Sequence, residues 1–147
     1  MANDVSYVTQ PRIYFSKPAG VITRTSATLG SFSTAWTIPN VVVGPGQNVL
    51  LTVTGTFTDN GSTSQDKLIG IARAGSLIAS WIQNGSSSLA YAPLTLSWVD
   101  ENPGAGSYTY EVQGAMFGGA TLNVRQSNPT TDTGGGASIF TAEVYTP

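Results

Sequence analysis

Cysteine and histidine are both absent from this chain. Without cysteine there is no disulfide framework, no thiolate metal site and no thiol nucleophile. Without histidine, the side chain most often used as general base, metal ligand or switch near neutral pH is missing too. Ser-His-Asp and Cys-His catalysis are therefore excluded, and no G-x-S-x-G elbow occurs. Charge is scarce as well: Asp, Glu, Lys and Arg make up 10% of the 147 residues, against about 25% in an average domain. The net charge is −2 and the six Lys and Arg are scattered, so no basic stripe exists and nucleic acid is not an expected partner. No apolar run approaches the ~18 residues of a membrane span, so no membrane insertion is expected. The segment Met1-Ala-Asn-Asp-Val-Ser-Tyr-Val lacks the basic start and apolar run of a signal peptide, and the expectation is a soluble chain made inside the cell.

What replaces charge is hydroxyl and glycine. Ser and Thr number 35 and Gly 17, while 40% of the residues are hydrophobic, many of them β-branched or aromatic. That apolar content separates the chain from disordered sequences of low charge. It implies an ordered domain with a neutral, hydroxyl-rich surface. The length is near the commonest size of one domain and suffices for a core without covalent staples.

Helical spacing is absent, and Gly or Pro interrupts nearly every ten residues. Period-two alternation takes its place. Val49, Leu51, Val53 and Phe57 fall on one side of a strand, with Leu50, Thr52, Thr54 and Thr56 on the other. Leu94, Leu96 and Trp98 alternate with Thr95 and Ser97, which predicts a core position for Trp98. Tyr108, Tyr110 and Val112 alternate with Ser107, Thr109 and Glu111, as do Phe140, Ala142 and Val144 with Thr141, Glu143 and Tyr145. Gly44-Pro45-Gly46, Asp59-Asn60-Gly61, Asn84-Gly85, Asn102-Pro103-Gly104-Ala105-Gly106 and Gly134-Gly135-Gly136 punctuate these runs as turns. Strands are predicted near 5–8, 12–16, 21–26, 32–38, 47–58, 67–73, 76–83, 88–99, 107–117, 120–126 and 137–146. The pattern is that of an all-β antiparallel sandwich or jelly roll of about eight to eleven strands. Residues 1–20 read as an N-terminal arm or edge ribbon, and 21–147 as one domain. Tyr7, Ile13, Tyr14 and Phe15, set between or before Pro11 and Pro18, are candidates for contact with another subunit or an outside surface, the simpler reading being an edge strand.

Candidate chemistry is sparse. A glycosidase needs only two carboxylates, and Glu111 with Glu143 is the pair whose strand positions suit a meeting across a sheet. Their simpler reading is outward strand positions or an interface ion pair. Asp59-Asn60-Gly61 and Asp100-Glu101-Asn102 offer hard oxygens but do not continue into a calcium loop. Gly44-Pro45-Gly46-Gln47 is not a phosphate cradle. The expectation is no catalytic, metal or cofactor site. Trp36, Trp81, Gln83 and Tyr91 remain as candidates for a glycan site or a subunit contact, since both uses favour exposed aromatic rings.

The segment from Leu94 to Gly114, a strand, an acidic turn, Pro103-Gly104-Ala105-Gly106 and a Tyr-x-Tyr strand, resembles the distal β-sandwich domains of bacteriophage tail spikes and fibres. It also resembles the related trimeric capsid cement, or decoration, proteins. Ser138-Ile-Phe-Thr-Ala-Glu-Val-Tyr is similar to their closing strand, and the resemblance covers about residues 92–146. In its turn Pro103 presets φ, Gly104 accepts positive φ, and Gly106 relieves the start of a strand whose tyrosines point inward. The resemblance implies a homotrimer. With no shaft in this sequence, it implies a cement protein on the outer capsid surface that bridges the major capsid protein. A host-carbohydrate-binding module of a tail spike or fibre is the alternative, with a host surface polysaccharide as partner.

Overall fold

A computed structural model describes residues 10–17, 22–25, 32–59, 67–83, 92–116, 121–125 and 138–147. The predicted strand at 5–8, the aromatic rings of Tyr7 and Tyr91, the turns at Asn60, Asn84 and Gly134–Gly136, and the side chains of Phe57, Gln83 and Leu94 lie outside the described residues. Among these described residues ten strands run in order: β1 (Arg12–Ser16), β2 (Ile22–Thr25), β3 (Ser33–Val43), β4 (Asn48–Asp59), β5 (Lys67–Arg73), β6 (Ser76–Gln83), β7 (Ala92–Asp100), β8 (Gly106–Met116), β9 (Thr121–Arg125) and β10 (Ile139–Tyr145). Every pairing is antiparallel.

One sheet has the spatial order β1-β10-β4-β7, and the other β3-β8-β5-β6. The connectivity is a jelly roll. Setting β2 and β9 aside, the first strand pairs the last, β3 pairs β8, β4 pairs β7, and β5 pairs β6. This is one long hairpin of strand pairs wound around a common core. Strands β2 and β9 pair with each other and extend the first sheet along the far end of β4.

Alternation explains which residues fill the space between the sheets. Val49, Leu51 and Val53 of β4 and Phe140 and Ala142 of β10 are fully enclosed, with Val144 nearly so. They face Ile69 and Ile71 of β5, Tyr110 and Val112 of β8, and Trp36, Ile38, Val41 and Val43 of β3. Each aliphatic side chain so enclosed contributes about 1.5–3 kcal/mol relative to exposure. Trp36 meets Phe140 edge-on, with ring centroids 6.4 Å apart. Its indole nitrogen is enclosed with no hydrogen-bond partner among the described residues.

The turns follow their residues. Pro45 and Gly46 (φ +69°) occupy the centre of the β3–β4 turn, closed by Gln47 N–H to Gly44 O at 3.3 Å. Ala74 and Gly75 both have positive φ, the two-residue turn whose twist suits a tight hairpin between β5 and β6. One expectation fails. The strand predicted to end at 38 continues to Val43 through Pro39 and Asn40, where the register with β8 shifts. β3 is an edge strand, so the missing N–H of Pro39 costs no ladder bond, and Asn40 absorbs the bulge at φ +57°.

Gly55 marks a close approach between β4 and the start of β10. A Cβ at this position would collide with the side chain of Ser138, which is itself 1% exposed. Gly55→Ala is expected to destabilise the domain by about 1–3 kcal/mol, read as a lowered urea midpoint at unchanged slope.

Candidate functional site

Three polar constellations and one cleft stand out. The first lies where the ends of β5, β7 and β8 converge. Arg73 Nη1 donates to both oxygens of Asp100, at 3.0 and 2.9 Å, and the Tyr110 hydroxyl donates to Asp100 Oδ2 at 2.7 Å. Because Asp100 belongs to one sheet and Arg73 and Tyr110 to the other, the carboxylate ties the two sheets together. Burial, and then the bond and charge of Asp100, push the Tyr110 hydroxyl far above its ordinary pKa, so it stays a donor. The Arg73 guanidinium also lies 5.5 Å from the centroid of the Tyr108 ring. Tyr108 in turn donates from its hydroxyl to Pro103 O at 2.8 Å and Gly104 O at 3.3 Å.

That last contact accounts for the turn singled out in the sequence. Gly104 has φ +93°, and a Cβ on Gly106 would press on the Tyr108 ring at 3.3 Å. Pro103, Gly104 and Gly106 thus hold a turn folded back on a half-buried tyrosine, and Tyr110 is fully enclosed, as the Tyr-x-Tyr alternation predicts.

The second constellation surrounds Glu111 on the outer side of the β8 strand. Thr34 donates to Oε2 at 2.7 Å, Gln113 to the same oxygen at 3.2 Å, and Gly75 N–H to Oε1 at 2.9 Å. The Thr34 bond, helped by Gln113 and Gly75 against some desolvation, holds this carboxyl below its ordinary pKa. Glu143, by contrast, lies on β10 in the opposite sheet, paired in register with Ile13 and Leu50. The two carboxylates face outward from opposite sheets, so the expected Glu111–Glu143 meeting does not occur. Ser64-Gln-Asp-Lys67 has the Ser-x-x-Lys spacing of some serine nucleophiles; its serine lies outside the described residues. Among the described residues no three metal-ligating side chains come together.

The third constellation closes one flank. Arg12 donates to Val42 O at 2.8 Å and to Gln47 Oε1 at 3.0 Å, while Val42 N–H donates to the Tyr14 hydroxyl at 3.3 Å. Strand β1 thereby caps the free edge of β3. Tyr14 is half-buried against the core, whereas Ile13 and Phe15 point outward and are 63% and 66% exposed.

Those two side chains begin a broad neutral face. In register, Ile13 continues into Glu143, Leu50 and Val99, and Phe15 into Thr141, Thr52 and Ser97. Hydroxyl pairs link the strands: Thr52 with Ser97 at 3.3 Å and Thr54 with Thr95 at 3.4 Å. Among these described positions Glu143 is the single charge.

The tryptophans redistribute. Trp36 is buried at 6% exposure, so it is neither a glycan platform nor a surface contact. Trp81 pairs with Ile69 and packs on the core, and it does not stand free beside a turn. Trp98, expected inside, is 43% exposed. Its register opposite Leu51 puts it on the inner side as alternation predicts, but among the described residues β7 is outermost in its sheet and leaves the indole partly uncovered. Trp98 lines an open cleft of 540 Å³ with Ile78, Val99, Asp100 and Glu101.

No protein-family model matches the chain, and no curated protein matches it. Among solved structures it is similar to a chain of infectious bursal disease virus, Gx strain, at 11% identity and a TM-score of 0.47, over 93% of this chain and 41% of that one. It is also similar to the VP2 subviral particle of infectious bursal disease virus, at 14% identity and a TM-score of 0.35, over 98% of this chain and 44% of that one. This chain spans less than half the length of either protein. The fold rests on its own strand winding.

Two outcomes follow from the polar groups. Asp100→Ala leaves the buried Tyr110 hydroxyl without its acceptor and is expected to cost about 2–3 kcal/mol. Adding Tyr110→Phe recovers part of that loss, which a double-mutant cycle by denaturant unfolding measures. Glu111 has a depressed folded pKa, so its contribution is complete above the ordinary carboxylate range and is lost as pH falls through the folded value. Glu111→Gln should therefore lose less of its unfolding midpoint than the parent chain between neutral pH and about pH 3.

Proposed function

We propose that the chain is a non-enzymatic structural protein of a virion: a homotrimeric cement, or decoration, protein on the outer capsid surface that bridges copies of the major capsid protein. The observation that carries this reading is the outer face of the β1-β10-β4-β7 sheet. It is nearly uncharged, it is laid with threonine and serine hydroxyls, and Ile13 and Phe15 stand exposed at its edge. A face of this kind loses little hydration on meeting another protein, and contiguous apolar exposure on a strand is what such a contact buries.

The jelly-roll winding supports the reading, since it is a recurrent architecture of capsid domains. So does the resemblance over residues 92–146, which supplies the trimer and the phage context. Bridging stabilises a shell because each added contact must break before the shell expands or ruptures. A second reading, a host-carbohydrate-binding module of a tail spike or fibre, is favoured by the exposed indole of Trp98. Copy number separates the two: many copies over the shell mean cement, and a handful at the tail mean adhesion.

Particles stripped of the protein are expected to release DNA at lower temperature, and adding it back should restore the release temperature. Because Ile13 and Phe15 are exposed, the Ile13→Asp, Phe15→Asp double variant should unfold near the parent temperature yet fail to rebind stripped particles. An unchanged release temperature on stripping overturns the cement role.

A further inference from the structure

We infer that the cleft between β6 and β7 is a saccharide-binding site, with the Trp98 indole as stacking platform and Asp100 and Glu101 as hydroxyl acceptors. The two flanks of the sandwich are unlike each other. On the β1–β3 side, Arg12 and Tyr14 close the gap through Val42. On the opposite side the edges of β6 and β7 leave a cleft of 540 Å³, within the range of about 300–1,000 Å³ that small-molecule sites occupy.

The walls of the cleft are built for a ligand with one apolar face and a polar rim. Trp98 presents an indole that is 43% exposed. Across from it, β6 bulges: Ile71 pairs with Ala79 and Ala72 with Leu77, so Ile78 is the extra residue and is aimed into the cleft. Bulges of this type re-aim side chains beside functional sites. The C–H face of a pyranose stacks on an indole, and Ile78 would cover its other side.

The polar groups suit hydroxyls. Asp100 is held rigid by three donated hydrogen bonds, two from Arg73 and one from Tyr110. A carboxylate has about four acceptor sites, and although Asp100 is largely buried its side chain keeps 11% exposure and lines the cleft, which leaves one site for a ligand hydroxyl. Glu101 is exposed at the rim and supplies more. Donors are at hand too, because β7 pairs with β4 on one side and has no strand on its other edge among the described residues. Indole and carboxylates also suit an ammonium group, but the Arg73 guanidinium already neutralises Asp100 and opposes a second cation. A neutral polyhydroxylated ligand fits better.

This inference rests on the carbohydrate-binding reading, for which it names the site, and is independent of the shell role: particle stability and copy number test the shell role, whereas saccharide binding tests the cleft. The full chain is titrated with methyl glucoside, methyl galactoside, methyl N-acetylglucosaminide and their β-linked disaccharides. Tryptophan emission and saturation-transfer NMR report binding. At least one probe is expected to bind saturably in the millimolar range, with transfer concentrated on one face of the ring. Trp98→Ala should weaken it about tenfold or more, and Glu101→Arg should weaken it as well. Circular dichroism checks both folds; Glu101 is exposed just beyond the end of β7, so its variant keeps the test decisive if Trp98→Ala misfolds. The inference is overturned if no probe binds, if binding survives both substitutions, or if tetramethylammonium binds the cleft and the sugars do not.

Discussion

Backbone pairing along both edges of β4 is the constraint on which the architecture depends. One edge is matched by β7 from Val49 to Phe57; the other is matched first by β10 and then by β9. A strand in this position has its ladder groups satisfied inside the sheet and cannot slip by one residue without turning Val49, Leu51 and Val53 out of the core. Its length exceeds that of any one partner, and the surplus is where β9, and through it β2, joins the sheet. The four strand pairs of the roll then assemble over that inner row.

The few charges near the described core hold the roll together. Arg12 fastens β1 to the free edge of β3, Arg73 and Asp100 join the two sheets, and Glu111 gathers Thr34, Gln113 and the β5–β6 turn. With charge committed to these ties, the outer face of the first sheet is left to hydroxyls and aliphatic side chains. Low charge and a neutral contact face are thus two aspects of one design. The same Arg73–Asp100–Tyr110 tie fixes one wall of the β6–β7 cleft, so a rigid acceptor there is a by-product of how the sheets are joined.

Strand positions are legible in the order of residues because alternation and turn chemistry are local. The strands at 67–73 and 76–83 match their predicted spans, and Gly46 and Gly104 take the positive φ their turns demand. The inward rows of β4, β8 and β10 follow the period of two directly. β3 is longer than its pattern suggests, since a proline inside a strand normally ends it. Only an edge position with a bulge lets the strand run on through Pro39 and Asn40, which stand between the paired residues Ile38 and Val41.

The amino-acid sequence by itself determined the all-β class, the turn residues, the core-facing side of β4, β7, β8 and β10, and the absence of thiol and imidazole chemistry. Tertiary structure alone decided which sheet each strand joined and whether it lay at an edge. That is why Glu111 and Glu143 face away from each other, why Trp36 is enclosed, and why Trp98 is open to solvent despite its inward register. Periodicity specifies the face of a strand. Exposure depends on neighbours brought in from distant parts of the chain, and at β7 the last neighbour is missing among the described residues.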